Sequence, residues 1–281
     1  MKEIIVAIDF SKGSIHALNY AISIANKTNA SILMIWVDTF SEKEGMLLKE
    51  QKIMKDEICE SFSEIIAKYQ PSLTSGKLSF KIRKGKVYSE IAHQARVNKS
   101  DLIVVGTHGV SGFEEIFIGS NAFRIVTSAP CPILTIRPDY PFDKGITKIA
   151  LPIDSTPETC QKLAFTAKLA NIFGAEVYVL ALYSANLKTI NRKVDENAHE
   201  VSRYLTEQKV KHSIESVFTD NITKTTLTFA EVVKADVLSI MTEQEISEVN
   251  VFLGPNAQQL INHAEIPVLS LKPDEFYEKH K

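Results

Sequence analysis

The sequence has few cysteines, and the three it has, Cys59, Cys131 and Cys160, form no C-x-x-C pair. That excludes a disulfide-built scaffold and a zinc-finger arrangement. A cysteine outside such motifs behaves as a small buried hydrophobe, although Cys131 lies close enough to a glycine loop to be weighed as a reactive thiol. No run of 18 apolar residues occurs, so no spanning helix is encoded. Met1-Lys2-Glu3 leads directly into Ile4-Ile5-Val6-Ala7-Ile8, which leaves no room for a signal peptide and points to a cytoplasmic protein. Neither sign of charge dominates: 32 Lys and Arg stand against 34 Asp and Glu, a net charge of −2, which argues against nucleic acid as the main partner. Enzyme signatures are missing as well. Phe80 stands where the first glycine of a G-x-x-x-x-G-K-[ST] loop ending at Gly85-Lys86 would be. Ser111 is flanked by Val110 and Gly112 and makes no G-x-S-x-G elbow, and the histidines form no H-E-x-x-H pattern. The carboxylates offer no obvious two-metal site, so neither a catalytic nor a metal-ligating residue is assigned.

What is present is a regular alternation. With 281 residues, 44% apolar and 23% charged, the chain is long enough for two domains of ordinary size. Ile4–Ile8 reads as a buried strand ending at Asp9, and Ile15, Leu18, Ile22 and Ala25 follow at helical spacing, with Ser11 or Ser14 as cap. Ser31–Val37 is a second strand. A long amphipathic segment from Met46 to Ile66 stops at Gln70-Pro71. Lys77–Ile82 alternates apolar and polar residues, which suits a strand near a sheet edge, and Val87–Val97 returns to helical spacing. Strands alternating with helices in this way predict a parallel sheet wrapped on both faces.

The plan then repeats. Arg137–Gly145 (RPDYPFDKG) is punctuation of the interdomain type, and Lys148–Asp154 restates the first strand, placing Asp154 145 positions after Asp9. Ala235–Ile240 restates Ser100–Val105, and Ile266–Pro273 restates Cys131–Pro138, both at an offset of 135. The shorter offset predicts a shorter middle helix or shorter loops in the second unit. The expected domains are residues 1–139 and 146–281, a tandem duplication.

The stretch from Ser100 to Pro138 carries the chemistry. A buried strand, Leu102–Val105, stops at Gly106; a loop with Thr107, His108, Gly109 and Gly112 follows, and a helix begins at Gly119-Ser120. Glycines allow a positive φ and close backbone approach, and the free N–H groups of a helix start favour an anion. Gly109, Gly119, Ser120 and the N–H of Asn121 therefore read as a phosphate cradle.

The spacing Gly106-x2-Gly109-x9-Gly119-Ser120, with its flanking apolar strands, resembles the nucleotide-binding signature of the universal stress protein family, in its ATP-binding branch. The resemblance covers both halves. It implies an α/β fold of two tandem doubly wound domains, each an open five-stranded parallel sheet of the adenine-nucleotide α-hydrolase-like kind. It also implies ATP as ligand, with Mg²⁺ or Mn²⁺ on the phosphates. Open parallel sheets bind at the carboxyl ends of their strands, where Asp9 would meet the ribose; a cap on the following helix is the other role open to it. Val37 occupies the position whose backbone meets adenine, Val105 packs near the base, and Ala7 and Gly106 complete the strand ends. His108 either approaches a phosphate or faces solvent. Family members dimerise through their last strands, which implies that Ile133–Ile136 and Val268–Leu271 pair within one chain; a homodimer and an unnamed protein partner are further expectations. A slow Mg²⁺-dependent ATP hydrolase and a scaffold for another phosphate-bearing ligand stay open beside a binding protein.

The second half carries the signature forward poorly. Met241 stands for Gly106, Gln244 for Gly109 and Pro255 for Ser120, while Gly254 keeps the place of Gly119. Pro255 removes a hydroxyl and an N–H, and Glu243, Glu245 and Glu248 add negative charge. One nucleotide per chain is expected.

Overall fold

The computed structural model describes residues 1–39, 48–107, 118–184, 187–242, 244–246 and 251–273, and of residues 48–51, 244–246 and 251–253 the backbone alone. The first half runs β1 (Glu3–Ala7), α1 (Lys12–Thr28), β2 (Ser31–Asp38), α2 (Leu48–Tyr69), β3 (Leu78–Lys84), α3 (Val87–Asn98), β4 (Leu102–Gly106), α4 (Ser120–Ser128) and β5 (Ile133–Ile136). Local chemistry sets these limits. Ser11, in an extended conformation, caps α1 by accepting the Ser14 N–H at 3.1 Å, and Asn29 ends the helix in the left-handed region that asparagine tolerates. Pro71 closes α2 in a short 3₁₀ turn, Gln70–Ser72.

The second half repeats the order: β6 (Lys148–Ile153), α5 (Leu163–Phe173), β7 (Glu176–Tyr183), α6 (Lys188–Glu207), β8 (His212–Phe218), α7 (Ile222–Val232), β9 (Val237–Met241), a hairpin of β10 (Gln244–Ile246) and β11 (Val251–Leu253), α8 (Pro255–His263) and β12 (Val268–Leu271). These are two tandem α/β domains. Their strands form one sheet in the order β3-β2-β1-β4-β5-β12-β9-β6-β7-β8, parallel within each half and antiparallel where β5 meets β12. Leu134 faces Leu269 there, and Thr135 donates its hydroxyl to the carbonyl of Val268 at 3.3 Å.

Strand residues alternate between two apolar layers. Ile4 and Val6 join the layer of α1, α2, α5 and α6, and Ile5 that of α3, α4, α7 and α8; each layer runs through both halves. The linker belongs to the core, since Tyr140 is buried and donates its hydroxyl to the Asp236 carbonyl at 3.2 Å. The ten-residue shortening lies where the offset changes. Residues 39–47 precede α2 but only 184–187 precede α6, and residues 70–77 follow α2 but only 208–211 follow α6. A feature beyond the sequence reading is the antiparallel pairing of β10 and β11, in the stretch that corresponds to the first half's glycine loop. Valines, Phe252 and Leu253 give that stretch strand character.

Candidate functional site

In each half the strand order reverses between the first and fourth strands, at β1/β4 and β6/β9, which is where open parallel sheets bind ligands. In the first half, Asp9 Oδ1 accepts the Ser11 N–H at 3.0 Å, and the Asp9 N–H donates to Ser14 Oγ at 3.3 Å. The second half copies both bonds: Thr156 N–H to Asp154 Oδ1 at 2.9 Å, and Asp154 N–H to Thr159 Oγ1 at 3.2 Å. Asp9 and Asp154 thus brace the turn ahead of the helix entrance in both copies, while the cap of α1 itself is Ser11. The Asp-x-Ser-x-x-Ser pattern, repeated as Asp-x-Thr-x-x-Thr at an offset of 145, was the sequence signal for this turn.

Gly106 has a packing reason to be glycine. A Cβ on it would lie 2.8 Å from the carbonyl oxygen of Gly13 and 2.9 Å from its carbon. The end of β4 therefore meets the entrance of α1 backbone to backbone. The expectation that these glycines supply positive φ is corrected for the two that are described. Gly106 lies outside that region, and Gly119 has φ −58° and ψ 147°.

Thr107 fixes the mouth of the loop. Its N–H donates to the Ile136 carbonyl at 2.9 Å, and its own carbonyl accepts the Gly119 N–H at 2.7 Å, so the chain leaves and returns at one point. His108 and Gly109 fall outside the described residues. Gly119 caps α4 with no side chain of its own to bond the first-turn N–H groups, and Ser120 and Asn121 are exposed beside it. Ala7, Val37 and Val105 share one apolar layer with Ile118 and Ala122. One contact was invisible in the sequence. The Ile118 N–H donates to Oδ1 of Asn262, on α8 of the other half, at 3.0 Å.

The second half differs at the corresponding point. Gly254 keeps the cap geometry, φ −57° and ψ 148°, but Met241 replaces Gly106 and Glu158 replaces Gly13. With side chains on both, the close contact cannot form. The helix entrance becomes a 3₁₀ turn, Pro157–Cys160, and α5 starts only at Leu163. Cys131 is not poised for reaction: burial, then the negative charge of Asp101, pushes its thiol up to about 12. Among the described residues no group of three His, Cys, Asp or Glu could hold a metal ion. None of their helices is long and apolar enough to cross a membrane.

A duplicated doubly wound sheet, with a helix entrance and a tied loop at its first switch point, defines a class of tandem α/β proteins. Comparison with known proteins narrows it. The model of the universal stress protein family matches twice, over residues 1–137 and 145–272. The chain belongs to the universal stress protein family. A universal stress protein of Methanocaldococcus jannaschii is 31% identical over 141 residues, 48% of this chain and 82% of that protein. A putative one from Staphylococcus aureus strain USA300 is 27% identical over 142 residues, covering 48% and 84%. Among solved structures, a universal stress protein from Archaeoglobus fulgidus superposes over 96% of this chain and 98% of its own, with a TM-score of 0.77 at 16% identity. That likeness is one of fold.

Proposed function

We propose that this universal stress protein binds ATP in its first half, residues 1–139, and none in its second, residues 146–281, and that nucleotide occupancy alters its contacts with a protein partner or a second copy of the chain. The observation that supports this best is the convergence at the β1/β4 switch point. Gly106 lies against Gly13 while Gly119, Ser120 and Asn121 open a helix whose cap is held 2.7 Å from Thr107. A phosphate at those N–H groups would meet the positive end of α4. Asp9, in the turn between β1 and α1 that also holds Gly13, would meet the ribose, and Val37 and Val105 would supply an apolar wall for the base. With no cluster of ligating side chains among the described residues, a bound Mg²⁺ or Mn²⁺ would rest on phosphate oxygens and water. Mass analysis of what co-purifies, together with calorimetry of ATP, tests the reading; an empty protein that binds no ATP would refute it. Single-turnover assays with and without Mg²⁺ separate holding ATP from hydrolysing it.

A further inference from the structure

At the carboxyl ends of β6 and β9 the second half has a partly open cavity of about 290 Å³. Small-molecule sites run from about 300 to 1,000 Å³, so this one suits a ring or short acyl chain rather than a base, a sugar and three phosphates. Its origin is local. Met241 and Glu158 keep the helix entrance from closing onto the strand as Gly106 and Gly13 allow in the first half. Thr226 stands where the first half has Ile91, 135 positions earlier, and replaces a buried hydrocarbon by a hydroxyl.

That hydroxyl is the second observation. Thr226 is 0% exposed, lines the cavity, and its Oγ1 has no hydrogen-bond partner. Buried polar groups rarely go unpaired. Asn256 lines the same cavity, and its Oδ1 accepts the hydroxyl of Thr223 at 3.3 Å. Thr223 precedes Thr226 by one turn on one face of α7, so Asn256 packs on the helix face that carries both threonines. Leu182, Ile222, Ile240 and Leu260 wall the rest. The charged lining residues balance, Asp154 and Glu158 against Lys162 and Lys272.

We propose that this cavity binds a small uncharged organic molecule, apolar over most of its surface, with one carbonyl group (an amide, lactam or lactone) that accepts from Thr226 and Asn256. The proposal is independent of ATP in the first half. The test uses the full chain with methyl-labelled side chains and three probes: cyclohexanecarboxamide, δ-valerolactam and benzoate. The carbonyl probes should bind saturably, shift the methyl signals of Leu182, Ile222, Ile240 and Leu260, and outcompete benzoate. Thr226→Val keeps the shape and removes the hydroxyl, so it should weaken the carbonyl probes about two- to tenfold while raising the melting temperature of the unliganded protein. Leu182→Trp, which fills the cavity, should abolish probe binding and leave ATP binding unchanged. No saturable binding of either carbonyl probe, tighter binding of benzoate, or a Thr226→Val protein that binds the probes as the parent does would overturn the proposal.

Discussion

A methyl group added at Gly106 would stand 2.8 Å from a backbone oxygen, whereas one added at Gly119 would meet, among the described residues, only the Thr107 carbonyl, at 3.3 Å. Glycine is therefore required by packing at the first position and nearly dispensable for packing at the second. Gly106→Ala should cost about 1–3 kcal/mol of stability in urea unfolding. Gly119→Ala should cost less than that yet weaken ATP at least tenfold, because its methyl group stands beside the exposed helix start; unchanged affinity would remove Gly119 from the cradle. Ser120→Ala should lower affinity about ten- to a hundredfold, the loss of one hydrogen bond to an anion. A carboxylate away from the site governs acid stability. Burial works to raise the pKa of Asp236, but bonds from the Thr147 hydroxyl, Lys144 and the N–H groups of Thr147 and Lys148 outweigh it and hold the value below the usual carboxylate range. A lowered pKa contributes stability above the unfolded value and loses it as pH falls, here below about pH 4. Asp236→Asn should shallow the acid limb of a stability profile between about pH 2 and pH 6; an unaltered limb would count against this role. Gly106, Asp9 and Gly119 were legible as special residues in the sequence. Gly13 and Asn262 were not, because what makes them matter is a contact made only once the chain has folded.

The elements were legible where hydrophobic periodicity was strong. Each half's buried strands are apolar on both faces, and Pro71, Ser11 and the Arg137–Gly145 linker mark their own boundaries. The shortening around α6 followed from two repeat offsets alone. The β10–β11 hairpin and the 3₁₀ entrance to α5 did not, since carrying the first half's loop onto the second hid them and since the entrance is set by residues 83 positions apart, Glu158 and Met241. The joint between α8 and the loop before α4 is the element contact with most bearing on the site. Asn262→Leu keeps the volume and strips the acceptor from the buried Ile118 N–H, so it should cost about 1–3 kcal/mol of stability. It should also weaken ATP, since the loop end is held by that bond. If calorimetry showed full affinity in a destabilised Asn262→Leu protein, α8 would be structural support alone.

At the scale of the molecule, ten strands of the described residues share one sheet and two apolar layers, with Tyr140 of the linker buried between the halves. Sequence repetition announced two units but could not show that they would fuse edge to edge; that expectation came from resemblance to the family. A shared core of this kind should unfold as a single cooperative transition, and two calorimetric peaks of comparable size would mean that the halves are stable apart. On the proposed reading, divergence between the two copies also makes the halves unequal in ligand. Gly106, Gly13 and Ser120 became Met241, Glu158 and Pro255, and each change works against a triphosphate at the second switch point. The most direct test is the stoichiometry of ATP on the full chain, measured by isothermal titration calorimetry in the presence of Mg²⁺. Saturation at one ATP per chain is predicted, and saturation at two, or no binding, would contradict the account.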